Sequence, residues 1–301
     1  MAALFTIVGA ILIISALIDV FHTLFHPASH GAMSDWIAET VWKSFRRTAR
    51  HFPRALTFAG PVSAVCIIVN WIGLTIFGFG LVFLFYPTPT AFSPSHFWMS
   101  IANSTDVLST ISTGQGMVAP WIRMIAGLEA MIGFGIVTAS ISWLLSIYPI
   151  VEARRSLAHQ ATLLHASEKM SGLDLLRDGV DDAPAILMSI AHDLSVLRNQ
   201  MAQFPISYYF YVGERRTTLA GILPYLAELA DRSLKNDVPV QLRIPGIMLR
   251  GAVEDFSIML AKTFLHMGPD TESEVLQAYA YDQMCEAVSS VGNSLRDRRS
   301  A

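Results

Sequence analysis

The loop Ser112-Thr113-Gly114-Gln115-Gly116 has the residue types and spacing best suited to chemistry. Glycine adopts positive and negative φ about equally readily, so Gly114 and Gly116 allow the backbone to aim successive carbonyl oxygens to one side. Ser112 adds a hydroxyl oxygen. Oxygens arranged in this way replace the water shell of a monovalent cation. Short glycine-containing stretches also occur in ordinary loops, so the interpretation depends on the surrounding elements.

The composition indicates a membrane protein joined to a water-soluble domain. Of 301 residues, 52% are hydrophobic and 15% are charged, and most of the charged residues lie in the second half. Soluble proteins have roughly 25% charged residues. The net charge of −3 gives no basic patch for nucleic acid. The two cysteines, Cys66 and Cys285, form no disulfide framework and have no metal-ligand spacing.

Three regions are long enough to cross a hydrocarbon core, which needs about 20 apolar residues. They are residues 1–18, extended by Val20 and Phe21, then Leu56–Tyr86, and Trp121–Tyr148. The first lacks the positive n-region of a secretory signal, so we expect a retained helix. The segment between the second and third predicts a short helix over His96–Ile111.

The short helix and the loop after it predict a re-entrant segment. Non-helical backbone at membrane depth is tolerated only where it is buried in protein or lines a water-filled cavity. We therefore expect an all-α membrane protein with three transmembrane helices, a pore helix and filter loop between the second and third, and a helical C-terminal domain.

The distribution of Lys and Arg predicts the orientation, because cytoplasmic loops carry an excess of both. Positive residues follow the first span and the third span: Lys43, Arg46, Arg47, Arg50, Arg54, Arg154 and Arg155. We expect a multi-pass protein of the inner membrane with its N-terminus outside and its C-terminal domain in the cytoplasm. Trp36 and Trp42 recur with other apolar residues at helical spacing, which favours a helix in the lipid headgroup layer. An ordinary solvated connector is the alternative.

The run Ser109–Pro120, S-T-I-S-T-G-Q-G-M-V-A-P, resembles the potassium-channel pattern T-x-T-T-V-G-Y-G-D-x-x-P without a gap. Gly133 resembles the inner-helix hinge glycine of two-span channels, and we take Gly135 as a second hinge residue. Leu128–Leu145 and Asp19–Pro27 are similar to a bacterial family of potassium-channel-like proteins with an extra N-terminal span. The resemblance covers roughly residues 1–155. It implies a homotetramer in which each chain contributes one filter strand, with K⁺ as the permeant ion.

This sequence departs from the family pattern at Thr113, Gln115 and Met117, which stand where the family has Val, Tyr and Asp. Tyrosine braces the filter from behind with a rigid ring and a hydroxyl tip, whereas glutamine is more flexible. Loss of the outer Asp removes negative charge that concentrates cations at the mouth. We expect a cation pathway with weakened potassium selectivity, or no conduction.

Ionisable residues in the predicted spans are functional candidates because they are costly to bury. Glu129 lies near the outer end of the inner helix, where it would brace the pore helix from behind. Asp106 would pair with Arg123 or face the back of the filter. The structural interpretation, an ion pair or a hydrogen bond, is favoured for both carboxyl groups. Thr138 is a weak candidate for a pore-lining hydroxyl.

Asp19, His22 and His26 fall at spacings that place them on one helix face. A structural clamp at the cytoplasmic end of the span is the favoured interpretation. A metal site and a pH sensor are the alternatives, since imidazole and carboxylate are ordinary ligands and His titrates near neutral pH. Three residues do not complete a coordination sphere, so we predict no metal.

The pattern divides the chain into four parts: an N-terminal transmembrane helix (1–24), a basic amphipathic connector (25–54), a pore module (55–152) and a helical cytoplasmic domain (153–301). In the last part, amphipathic runs predict helices over Pro184–Gln203, Thr217–Leu234, Ile247–Phe264 and Glu272–Val291. Ser207–Val212 is the best strand signal there. No glycine-rich nucleotide motif follows a strand, and no catalytic motif includes the histidines.

The sequence thus predicts a potassium-channel-like cation channel for passive ion transport. The alternative is a non-conducting receptor or scaffold that keeps the pore fold and signals through its cytoplasmic domain. We expect no enzyme activity and no cofactor. The expected partners are membrane lipid, further copies of the chain and an unidentified cytoplasmic partner or ligand, with no nucleic acid. Regularly spaced arginines of a voltage sensor are absent from the sequence.

Overall fold

The computed structural model describes residues 2–25, 31–49, 51–84, 93–110, 119–211, 218–268 and 271–283, and every regular element in these ranges is helical. The chain divides into two compact units, Met1–Ser146 and Ile147–Ala301. The sequence placed this boundary slightly later, after residue 152. Each unit is described by itself.

The first unit contains four helices and the start of a fifth: α1 (Ala2–Phe25), α2 (Ala32–Ala49), α3 (Ala59–Phe83), α4 (Pro94–Leu108) and α5 (Pro120–Ser171). A 3₁₀ helix, Pro53–Phe58, precedes α3. The helices α1, α3 and α5 are long and apolar enough to cross a membrane. The predicted number of spans is thereby confirmed, although α1 and α5 extend beyond the predicted ends.

Helix α3 is the centre of the first unit, and α1, α2 and α4 all pack against it. Close backbone approach replaces side-chain interdigitation where α1 crosses α3: a Cβ on Gly9 would lie 2.5 Å from the carbonyl oxygen of Gly78. Small residues of this kind mediate helix packing in membranes, where no hydrophobic effect drives association. Ala38 and Trp42 of α2 are also buried in this unit.

The second unit is built from the end of α5 and from α6 (Ala183–Gln203), α7 (Leu219–Ser233), α8 (Arg243–Leu260) and α9 (Glu272–Asp282). Its apolar core includes Leu187, Leu223 and Phe256, all fully buried. These helices follow the amphipathic periodicity of the sequence, since each buries its apolar positions in one core.

The strand signal at Ser207–Val212 corresponds to no strand in its described part, residues 207–211. Pro205–Tyr209 is a 3₁₀ helix, in which Ser207 N donates to Phe204 O at 3.0 Å. Side-chain packing decides the local structure: the ring of Tyr208 stacks on Phe264 with centroids 4.2 Å apart. Aromatic residues in sequence favour a strand only where a neighbouring strand is available to pair with them.

Candidate functional site

The short helix α4 is the element that would position the predicted filter loop. Its 15 residues span about 22 Å at 1.5 Å per residue, less than the roughly 30 Å of a hydrocarbon core. It begins at Pro94, which follows Ser93 in an extended conformation, and it is slightly earlier and shorter than predicted. Thr110, with φ at 60°, turns the chain out of the helix immediately before residue 111.

The predicted filter residues, Ser112, Thr113, Gly114, Gln115 and Gly116, lie outside the described residues. The structure describes the helices on either side of these residues, α4 before them and α5 after them. The carbonyl end of α4 directly precedes the loop in the chain, and the C-terminus of a helix carries a partial negative charge that favours cations.

Two glycines, one on α3 and one on α5, allow these helices to pack closely against α4. A Cβ on Gly80 of α3 would collide with Ile101 of α4, and a Cβ on Gly133 of α5 would lie 2.6 Å from Leu108 Cγ and 2.9 Å from Leu108 O. Gly133 was predicted as a hinge, and in this structure it permits close packing against the end of α4. Gly135, the second predicted hinge, faces open space inside a continuous helix.

Glu129 of α5 lies behind α4 and is fully buried. Ser104 of α4 hydrogen-bonds to Glu129 Oε1, and the same hydroxyl lies 3.0 Å from the carbonyl oxygen of Ile76 on α3. The contact places a carboxyl group where three helices meet. Glu129 Oε2 is buried and has no hydrogen-bond partner among the described residues.

The other predicted polar residues of the pore module lie apart from this cluster. Asp106 is half-buried, and its backbone carbonyl accepts from Ser109 Oγ at 3.2 Å. Arg123 lies on α5, near its start. Thr138 is exposed on α5. The nearby Ser140 is buried, and its hydroxyl has no hydrogen-bond partner among the described residues.

Asp19 is the centre of a second polar cluster in the first unit, with only 4% of its surface exposed. It accepts hydrogen bonds from Met33 N at 3.1 Å, Ser34 Oγ at 2.5 Å and Trp71 Nε1 at 2.7 Å. These donors come from α2 and α3, so Asp19 joins three helices. His26 of the predicted triad lies outside the described residues, and His22 is on α1.

Sequence reasoning missed the donors that complete the Asp19 cluster. Trp71 lies far along the chain, and its ring also packs against Trp143 of α5 with centroids 5.8 Å apart. A single tryptophan within an apolar run gives no sign of its hydrogen-bond partner. The sequence likewise gave no sign that Gly31 lies against Asp19, although a Cβ on Gly31 would collide with the Asp19 carboxylate. No group of three or more metal-ligating side chains occurs within the described residues.

The second unit holds its charged and polar groups in local networks. Arg154 of α5, buried at 6% exposure, donates to the backbone carbonyls of Ser207 and Phe210. Further along α5, Glu168 accepts from Tyr225 Oη at 2.7 Å and pairs with Arg232 at 3.3 Å. These contacts attach the last turns of α5 to the rest of the unit.

Two tyrosines in the second unit stay neutral hydrogen-bond donors at ordinary pH. Burial raises the pKa of Tyr225 well above its usual value, and the hydrogen bond to Glu168 adds to the effect. Burial likewise raises the pKa of Tyr208, and the neighbouring Asp282 carboxylate, to which it donates at 2.7 Å, raises it further. Both groups are structural, because their hydroxyls are already engaged.

Comparison with known proteins gives one informative similarity. The chain is 22% identical over 316 residues to "Uncharacterized membrane protein YdjJ" of Bacillus subtilis (strain 168), covering 98% of this chain and 91% of that protein. This similarity agrees with the three membrane-capable helices. The chain is a membrane protein. No family model and no solved structure matches it.

Proposed function

We propose that this membrane protein is a potassium-channel-like cation channel. The observation that carries the proposal is the position of α4, a helix too short to span that packs between two membrane-capable helices. In the sequence it is followed by Ser112–Gly116, the predicted filter. Gly80 approaches the middle of α4 at Ile101 and Gly133 approaches its end at Leu108, which supports a frame that fixes this helix. Such a frame is what a loop of ion-coordinating carbonyl oxygens requires.

The proposed pore is completed by further copies of the chain, four in all, as the family resemblance implies. Exposed apolar residues on α5, including Met131, Phe134 and Leu145, give faces that lipid or another copy would cover. In the proposed orientation the N-terminus is outside and the second unit lies in the cytoplasm. The permeant ion is a monovalent cation, with K⁺ favoured by the resemblance.

A non-conducting receptor or scaffold is the second candidate. The observation that favours it is the altered filter, in which Gln115 and Met117 replace the bracing and charged residues of the family pattern. The second unit has its own core and would carry the signal.

Flux through the purified protein in liposomes separates the two candidates. Vesicles loaded with K⁺ or with Na⁺ are assayed for cation release across a range of pH and voltage, with protein-free vesicles as the control. Release of either cation that requires the protein supports the channel. Absence of release under every condition supports the scaffold.

A further inference from the structure

The second unit contains a cleft of about 370 Å³ between α8, the turn that follows it and the start of α9. Sites for small molecules range from about 300 to 1,000 Å³ and combine an apolar lining with a few polar groups. This cleft is at the small end of that range. All of its lining residues belong to the second unit.

The floor of the cleft is apolar. Val275 and Ala261 are buried at its base, and Ile258 is 41% exposed above them. Met267 forms part of the opposite wall. An apolar side chain of a ligand would bury surface here at roughly 25 cal/mol per Å².

The rim of the cleft carries two opposite charges whose side chains are open. Glu254 and Lys262 flank Ile258 on α8 and its continuation, and neither side chain makes a hydrogen bond or an ion pair within the described ranges. The backbone carbonyl of Glu254 accepts from Ser257 Oγ at 2.8 Å. Arg250 differs, because both Glu272 oxygens hold it at 2.8 and 2.9 Å and Asp231 accepts from it at 3.1 Å. Arg250 thus closes one end of the cleft, and Glu254 and Lys262 remain available.

The backbone beside the cleft has an unusual conformation. After α8, Ala261–Leu265 forms a π-helical turn, and His266 adopts φ 49° in the left-handed region. Met267 N then donates to Ala261 O at 3.0 Å, which folds Met267 back over the cleft. Turns of this kind are frequent at functional sites, where the local strain is tolerated because it places a side chain.

We propose that this cleft binds a small zwitterion of dipeptide size with an apolar side chain. The ligand ammonium pairs with Glu254, the ligand carboxylate pairs with Lys262, and the apolar side chain contacts Ile258 and Met267. Eight residues of helix separate the two charged positions by about 12 Å along the axis. An extended dipeptide is up to about 7 Å long, and a hydrogen bond of about 3 Å at each end brings the span close to this separation. The closely spaced charges of one amino acid fall short of it.

Calorimetric titration of the full-length protein in detergent tests the proposal with Leu-Ala as the probe. We expect saturable binding that weakens about tenfold or more in Glu254→Gln and in Lys262→Gln. Asp255→Asn, an exposed charge change on the same helix outside the cleft, is the matched control and should bind as the parent does. Thermal unfolding of each variant confirms that the fold is kept.

The probe itself supplies a second set of comparisons. N-acetyl-Leu-Ala should lose the Glu254 contact and Leu-Ala amide the Lys262 contact, so each should bind the parent protein about tenfold more weakly. No binding of Leu-Ala to the parent, or binding by either charge variant as tight as binding by the parent, overturns the proposal. Leucine binding as tightly as Leu-Ala also overturns it, because the two charges would then not be read at dipeptide spacing.

Discussion

Asp19 and Glu129 are buried carboxyl groups of the same unit in contrasting surroundings. Asp19 accepts from three donors, which occupy both of its oxygens. Glu129 contacts Ser104 through one oxygen, and the other has no partner among the described residues. A carboxyl group with satisfied oxygens fixes its donors, whereas one with an open oxygen can exchange partners. Asp19 is therefore a joint between helices, and among the described residues Glu129 is linked to α4 through the Ser104 hydroxyl alone.

The largest predicted effect is that of Asp19→Leu. The substitution leaves the Met33, Ser34 and Trp71 donors buried without an acceptor, at about 1–3 kcal/mol for each. We expect thermal unfolding in detergent to show a loss of roughly 3 kcal/mol or more. Asp181→Leu changes an exposed carboxylate and serves as the control. If Asp19→Leu unfolds like the parent, Asp19 is not the joint described here.

Gly133→Ala is expected to have the next largest effect. It tests the packing of α5 against α4 one turn after Glu129. The added methyl group collides with Leu108, and overpacking of this kind costs about 1–3 kcal/mol. Gly135→Ala is the matched control: it meets open space and should be neutral, or stabilising by up to about 1 kcal/mol. Equal unfolding temperatures for the two variants would contradict close packing at Gly133. A flux defect in Gly135→Ala without lost stability would support the hinge role.

Glu129→Gln tests the contrast directly. Glutamine has the same shape and keeps a hydrogen bond with Ser104, so we expect a stability change below about 1 kcal/mol. Asp19→Asn should cost more, because one amide oxygen replaces two oxygens that accept from three donors. Both variants are compared by thermal unfolding in the same detergent. The contrast fails if Glu129→Gln is the more destabilised of the two.

Asp19→Asn should also leave the pH dependence of flux unchanged.

The smallest effect on stability is expected at Glu274, an exposed carboxylate that serves as a reference for the buried Asp19 and Glu129. Hydrogen bonds from Thr271 hold the pKa of Glu274 below its ordinary value near 4.5. Its ionised form thus stabilises the start of α9 above pH 4.5, and this contribution disappears as the pH falls through the lowered pKa. Hydrogen exchange of α9 should be faster in Glu274→Gln than in the parent at pH 7. The difference should shrink toward pH 3.

Glu272 should show the opposite dependence on pH. Burial raises its pKa despite the opposing effect of Arg250. A raised pKa means that the folded state holds its proton more tightly, so the contribution is greatest below pH 4.5 and declines as the pH rises through the folded value. The stability of the parent relative to Glu272→Gln should therefore fall over that interval. If the pH dependence of stability had the same sign at Glu272 and Glu274, the opposite pKa shifts of the two groups would be contradicted.

The sequence predicted the elements better than their contacts. Apolar runs indicated α1, α3 and α5 because membrane-spanning length is a local property. The Ser104–Glu129 contact joins positions on separate helices, and the sequence predicted only that Glu129 would lie against the short helix, without naming Ser104. Trp71 could not be found because its partner, Asp19, is set by tertiary packing. The 3₁₀ turn at Tyr208 was missed for the same reason, since stacking on Phe264 overrides a strand-like composition.

The most direct test of the proposed channel is the ratio of K⁺ to Na⁺ flux through reconstituted protein and its Gln115→Tyr variant. We expect the parent to pass both cations with weak preference for K⁺, because glutamine is more flexible than tyrosine and braces the filter poorly. Tyrosine at this position should raise the ratio. A strong K⁺ preference in the parent would contradict the weakened filter, and absence of flux in both forms at every pH and voltage would contradict the channel itself.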